Sequence, residues 1–546
     1  MPVTRFVAAS AMIASLAAPA AASRPATSPL VAYVHARAAD VLGQADASAQ
    51  GYGALFAVEP GNRRMAMRTY RQAIIAGDRK LAIATARALD AQKALPAEGR
   101  LLLVGETIAN KDWKGARAQI ETLKHEDVFS FLAPSLSAWV TLGARDGDPL
   151  ALLATGAGGA LGGGYLGEQR ALITLAEGRV DDGVAAILAL GTPGSARSLR
   201  LRIAAAAELA QAGHADKAAT LLVGDDPALV LARALLAAHK PIPGAIATPV
   251  QGVAELLIRV AADINREQAG PLALTLGRTA NFIAPDNAEG WLVVSTMLAS
   301  GDESQTALAA LDHVAPDDPL VGAARDLKVQ LLLHKGDKDG ALKEALAATA
   351  LPGASAQDWS RAGDIYDALS RHADAAQAYG KALALTGDSK AAWALWLQRG
   401  SALEQSGDWA EAKPALEKAV ALAPDQAVAL NYLGYSELDR HENVDAATKL
   451  VEKASALRPD DPAITDSLGW AYYLRGDLAR ALPALEKAAI ASPAQSDINE
   501  HLGDAYWAAG RHLEARYAWH AALVVADDKD KLRLSEKVDL GPAVKP

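Results

Sequence analysis

"ITDSLGWAYYLRGDLARALPALEKAAIASP" runs from Ile464 to Pro493. Within it, Leu468-Gly469 is followed by Tyr472, Gly476, Ala481, Leu485, Ala488 and Pro493. The next stretch repeats the order with Leu502-Gly503, Tyr506, Gly510, Ala515, Trp519 and Ala522. Two antiparallel helices account for these intervals. Gly469 and Ala481 fall where the helices cross closely, so neither position takes a large side chain. Tyr472 and Leu485 fill the space between them, and Ala488 meets the following repeat. Gly476-Asp477 makes the turn, because glycine tolerates positive φ. Pro493 stops the second helix. "RPDDP" and "SPAQSD" offer Asp or Ser as N-caps for the helices that follow.

The interval is periodic. Gly400, Gly434, Gly469 and Gly503 are 34, 35 and 34 residues apart. Ala412, Ala447, Ala481 and Ala515 keep the step, as do Ala419, Ala454, Ala488 and Ala522, and Pro424, Pro459 and Pro493. A 34-residue period of these residue types is the signature of a helix–turn–helix repeat. With Trp396, Gly407 and Leu416 in the first of them, the four repeats from about 393 to 527 resemble the tetratricopeptide repeat family. Trp359, Gly363, Tyr366, Ala375 and Ala382 mark an earlier repeat. The resemblance implies an all-α fold, a right-handed α-solenoid of stacked antiparallel helix pairs.

Fainter traces run backwards. Gly77-Asp78 with Ala82, Lys111-Asp112 with Ala116, Gly178 with Gly183, Gly213 with Ala218, Gly301-Asp302 with Ala307 and Gly336-Asp337 with Ala341 mark turns. The expected organisation is divergent repeats over 30–225, an irregular middle over 226–350, well-matched repeats over 355–527 and a charged tail over 528–546. A chain so filled with repeat leaves no room for a separate catalytic domain.

The first 22 residues read differently. Arg5 precedes an uncharged apolar run to about Ala18, and Ala20-Ala21-Ala22 is a small-x-small site, so a cleaved secretory signal is expected. That implies the periplasm and no transmembrane segment after cleavage. The 546 residues contain no cysteine and carry a net charge of −10. Disulfides, thiolate chemistry and Cys-ligated metals are excluded. The acidic balance and the absence of a visible basic stripe argue against nucleic acid. The uncharged stretch 149–167 is too rich in glycine to enter a membrane and is expected to be a loop.

Candidates for chemistry are weak. "GGGYLG" at 162–167 lacks the preceding strand of a dinucleotide site, and no P-loop occurs. The eleven histidines show no metal-ligand spacing, so His501, His512 and His520 are expected at the surface. The pairs Asp225-Asp226, Asp317-Asp318 and Asp460-Asp461 fall at joints and suit capping. No enzyme, catalytic residue, cofactor or metal site is expected. The expected functional surface is the groove lined by first helices. In this phase it holds Asn431 and Tyr435, then Asp466, Trp470 and Tyr473, then Glu500, Asp504 and Trp507. Carboxylate-clamping repeats use Lys, Arg and Asn there, whereas this face is aromatic and acidic. It suits a peptide or protein with apolar anchors and basic neighbours; the competing use of the two tryptophans is packing between repeats. The layout resembles bacterial envelope adaptors, some of which present substrates to a processing protease or assist outer-membrane assembly. The alternative is a structural part of an envelope export or polysaccharide-secretion complex.

Overall fold

In a computed structural model, the structure describes residues 28–126, 128–154, 159–190, 195–267, 270–301, 303–387 and 389–542. The expected signal at 1–22, Asp302 and the glycines at 156 and 158 lie outside them. The described residues form thirty α-helices, two short 3₁₀ turns and no strand. The helices stack as antiparallel pairs, as the period requires.

The small residues sit where the argument puts them. A Cβ on Gly400, Gly434, Gly469 or Gly503 would lie 2.6, 2.7, 2.6 or 2.4 Å from Leu416, Val451, Leu485 or Trp519 of the paired helix. The alanines at 412, 447, 481 and 515 are fully buried, as are those at 419, 454, 488 and 522. Gly407, Gly476 and Gly510 turn the chain at positive φ. At the fourth turn His441 and Asn443 take that conformation instead. Asp408 and Asp477 then cap the second helices through the backbone N–H groups of Glu411 and Arg480. Asp461 caps Pro462–Leu474, and Asp226 caps Pro227–Ala237. "SPAQSD" departs from expectation. Gln495 occupies the N-cap of Ser496–Ala508 without a side-chain hydrogen bond, and Ser496 donates to the Ala522 carbonyl instead.

The chain divides into two compact units. One holds the residues up to Gly183 together with Ile246–Ala310, and the other holds Val184–Ala245 together with the residues from Leu311 onward. In the first unit, Pro249–Arg266 and Gly270–Ile283 form a hairpin that packs along first helices: Arg63–Ala76, Ala97–Ala109, Ala133–Ala144 and Gly159–Ala176. The approach is close. A Cβ on Gly252 would lie 2.0 Å from the ring of the fully buried Trp139, and one on Gly143 would lie 2.8 Å from Pro249. Trp139 donates to Gln169 at 2.7 Å, Arg278 to the Ile75 carbonyl at 2.8 Å, and Tyr165 to Asp263 at 2.8 Å.

The expected glycine-rich loop is corrected. Pro149–Ala154 and Gly159–Ala176 are helices. The second is anchored by Ala171, Leu172 and Ile173, all buried, and this packing outweighs the low helix propensity of its glycines. In the second unit the charged tail also forms a helix, Asp528–Leu540, which packs on the last pair through the fully buried Leu534.

Candidate partner-binding groove

The eight expected groove residues lie on three consecutive first helices, Ala427–Asp439, Pro462–Leu474 and Ser496–Ala508. The structure brings them together into one aromatic and acidic face, and none is fully exposed. Trp470 stacks on Tyr473 at 4.8 Å and on His501 of the next first helix at 4.2 Å, between ring centroids. Tyr435 reaches the same His501 at 6.1 Å. Trp507 stacks on His512 at 4.1 Å, lies 5.4 Å from Trp519, and leaves no space for a side chain at Gly541. Both tryptophans therefore pack between helices, and part of each ring remains accessible.

The histidine expectation is corrected at one position. His501 is buried, not at the surface, and pairs with Asp466 at 2.9 Å. Burial disfavours its charged form, but Asp466, with Asp504 and Asp497 nearby, raises its pKa above the ordinary value. A lone histidine gives no local hint of this. The signal lies one repeat earlier, in an acid at 466 followed by a base at 501.

That spacing recurs along the unit as a ladder between successive first helices. Asp326 accepts from Arg361, Asp364 from Gln398 at 3.0 Å, and Glu404 from Arg440 at 2.6 Å. The last rung is made by the tail. Lys537 reaches Glu500 at 2.6 Å and Asp504 at 2.8 Å, and Arg533 reaches both oxygens of Glu500. Burial works against the Glu500 carboxylate, yet these two cations hold it below the usual carboxylate range. Glu500 and Asp504 are thus occupied by the chain's own basic helix. Asp504 also accepts from Trp519 at 2.9 Å.

Other polar atoms on this face have no partner. They are the amide oxygen of Asn431, Oδ1 of Asp466 and the indole nitrogen of Trp470, all buried. Tyr435 is pushed well above its ordinary pKa by burial and by Asp439, Asp466, Asp497 and Glu500. The face is electrically negative at its centre and neutralised at its C-terminal end.

Two further concavities exist. In the second unit a cavity of about 230 Å³ is lined by Leu231, Leu320 and Leu351, with Asp226, Asp326 and Asp358. Its carboxylates already cap helices or pair with Arg361. In the first unit a cleft of about 1000 Å³ gathers Arg37, Arg63, Arg64, Arg68 and Arg71 beside Tyr33. This corrects the reading that the chain has no basic stripe. Arg64, Arg68 and Arg71 recur at helical spacing, and that spacing was the missed signal. Among the described residues no helix is long and apolar enough to cross a membrane, and no three His, Cys, Asp or Glu side chains converge as a metal set.

The family comparison agrees with the repeat reading of the C-terminal helices. The tetratricopeptide repeat family profile matches residues 397–462 and 467–531. A TPR repeat-containing protein of Pseudomonas aeruginosa is 45% identical over 58 residues, which is 11% of this chain and 10% of that protein. The chain thus spans a tenth of the length of that curated relative. A tetratricopeptide repeat protein of Parabacteroides merdae aligns with 46% of this chain and 98% of its own, at 17% identity and TM-score 0.38. A chain from the crystal structure of the APC/C hetero-tetramer Cut9–Hcn1 aligns with 94% of this chain and 97% of its own, at 14% identity and TM-score 0.36. Residues 397–462 and 467–531 of this chain are thus similar to tetratricopeptide repeats.

Proposed function

We propose that the protein is a non-catalytic adaptor of the bacterial cell envelope that holds a peptide or protein partner on its C-terminal first-helix face. One observation carries the reading. Tyr435, Trp470 and Tyr473 present partly accessible rings around buried polar atoms that the chain leaves unpaired. Large amphipathic rings are enriched at the centres of recognition surfaces. Trp507 and Asp504 are expected to contribute less, because the terminal helix already engages them. The envelope location rests on the apolar run and Ala20-Ala21-Ala22 ahead of the described residues.

The test compares the chain from Ser23 with a Tyr435→Ala, Trp470→Ala, Tyr473→Ala variant, checked by circular dichroism, in capture from an envelope extract. A partner held by the first and lost from the second supports the reading. Equal capture by both contradicts it. Fusion of residues 1–30 to a reporter active only after export tests the location separately, and an inactive fusion rejects it.

A further inference from the structure

Two rungs of the first-helix ladder lack an arginine: Asp364 meets the neutral amide of Gln398, and Asp466 keeps a buried oxygen unpaired. Asp326 faces Arg361, Glu404 faces Arg440, and Glu500 faces both Arg533 and Lys537. Asp466 faces only His501, and through a single oxygen, Oδ2. Its other oxygen is buried without a partner, in a residue only 5% exposed. The Asn431 amide oxygen, at the equivalent position one repeat earlier, is also unpartnered, and so is the Trp470 indole N–H. The helices that carry them, Ala427–Asp439 and Pro462–Leu474, pack against each other.

A buried polar atom without a hydrogen bond costs about 1–3 kcal/mol, so an occupant that pairs these three atoms, carried by two packed first helices, would be favoured. Their chemistry defines it. Two are acceptors, one carrying charge, so the occupant brings a cation with several N–H donors. Four carboxylates, Asp439, Asp466, Asp497 and Glu500, act on the Tyr435 ring that borders the rung, and Glu500 has its own cations. Trp470 is already stacked on Tyr473 and His501, so the Tyr435 ring is the one that favours a flat cation, and a guanidinium is planar and stacks where an ammonium does not. The indole N–H needs an acceptor, which a peptide carbonyl supplies.

We propose that the rung between Ala427–Asp439 and Pro462–Leu474 is the seat of an arginine side chain of the partner. Its guanidinium donates to Asp466 Oδ1 and Asn431 Oδ1, and Trp470 Nε1 donates to a backbone carbonyl of the same peptide. This rests on the groove reading above and assigns the class of residue that the groove recognises. It supplies in trans what Arg361, Arg440 and Arg533 supply in cis at three of the other rungs.

The experiment uses the full chain with ¹⁵N-labelled tryptophan, Trp470 being assigned through Trp470→Phe. The probes are N-acetyl-arginine methylamide and its citrulline analogue, which keeps the shape and loses the charge. The expected result is a saturable shift of the Trp470 indole resonance with arginine, at least about tenfold weaker with citrulline, a difference of about 1.4 kcal/mol. Asp466→Asn should abolish the shift. Asn431→Ala, which leaves the His501 pair intact, should weaken it and serves if Asp466→Asn disturbs the fold. No shift with arginine, or an equal shift with citrulline, overturns the proposal. If capture of a partner depends on Tyr435 and Tyr473 while arginine leaves Trp470 unmoved, the groove reading stands and the arginine seat fails.

Discussion

The first helices of the two units are covered in opposite ways. In the unit that contains Trp139, the chain lays two helices of its own, Pro249–Arg266 and Gly270–Ile283, along the first helices, with glycines at the points of closest approach. In the C-terminal repeats the first helices meet side by side through acid–base pairs, and only the last is covered, by Asp528–Leu540. The same repeat geometry thus serves two ends. Where the face is filled by backbone at close range, it is core. Where it is lined by rings and by carboxylates paired one repeat apart, it leaves buried polar atoms unpaired.

The largest expected effect tests the closed face. Gly252→Ala places a methyl 2.0 Å from Trp139, a ring that is fully buried and hydrogen-bonded to Gln169. Overpacking of this kind costs about 3 kcal/mol. Thermal unfolding of the variant should show a marked loss. A loss below about 0.5 kcal/mol means the hairpin adapts easily, and the comparison breaks on that side.

The next effect tests the ladder. Lys537→Ala leaves Glu500 and Asp504 without their shared cation, in residues whose side chains are 11% and 14% exposed. Removing one partner of a largely buried pair costs about 2–3 kcal/mol. Hydrogen exchange should rise over 528–540 and 496–508 and stay unchanged over 133–144. Exchange that rises equally in both units would remove the distinction.

A pH effect sharpens it further. His501 ionises above its ordinary value of 6.5 when folded, so it stabilises the C-terminal repeats fully below 6.5. That contribution disappears as pH rises through the folded value. The groups facing the imidazole are Asp466, Asp497, Asp504, Tyr435 and Trp470. Protection over 496–508 should therefore fall as pH rises above 6.5 in the native chain and not in His501→Gln. A flat profile in both chains contradicts the assignment.

The smallest effect lies among the turns. Three of the four C-terminal turns use glycine at positive φ, and the fourth uses His441 at φ 55°. His441→Gly should stabilise by up to about 1 kcal/mol, read as a small rise in Tm. A fall in Tm would mean the histidine side chain contributes more than its backbone costs.

The repeat was legible because tight crossings admit only Gly and Ala, and a stacked array forces them to recur. Gly469 and Ala481 announce the crossing before any coordinates. The hairpin over the first unit was not legible. Arg278 and Ile75 lie 203 residues apart, and "VQGVAE" around Gly252 carries no periodic mark of the ring it must avoid. The eight expected groove residues fall on three consecutive first helices. What escaped was their pairing. Glu500 and Asp504 looked free because the tail was read as charged chain rather than as a helix with Arg533 and Lys537 one turn apart. His501 looked ordinary because its partner lies a full period away.

The most direct measurement is site-specific photocrosslinking of the chain in an envelope extract, with the reactive group placed at Tyr435 or at the exposed Arg266 of the hairpin. The account predicts one partner band from Tyr435, competed by N-acetyl-arginine methylamide, and none from Arg266. The same band from Arg266, with none from Tyr435, would contradict it.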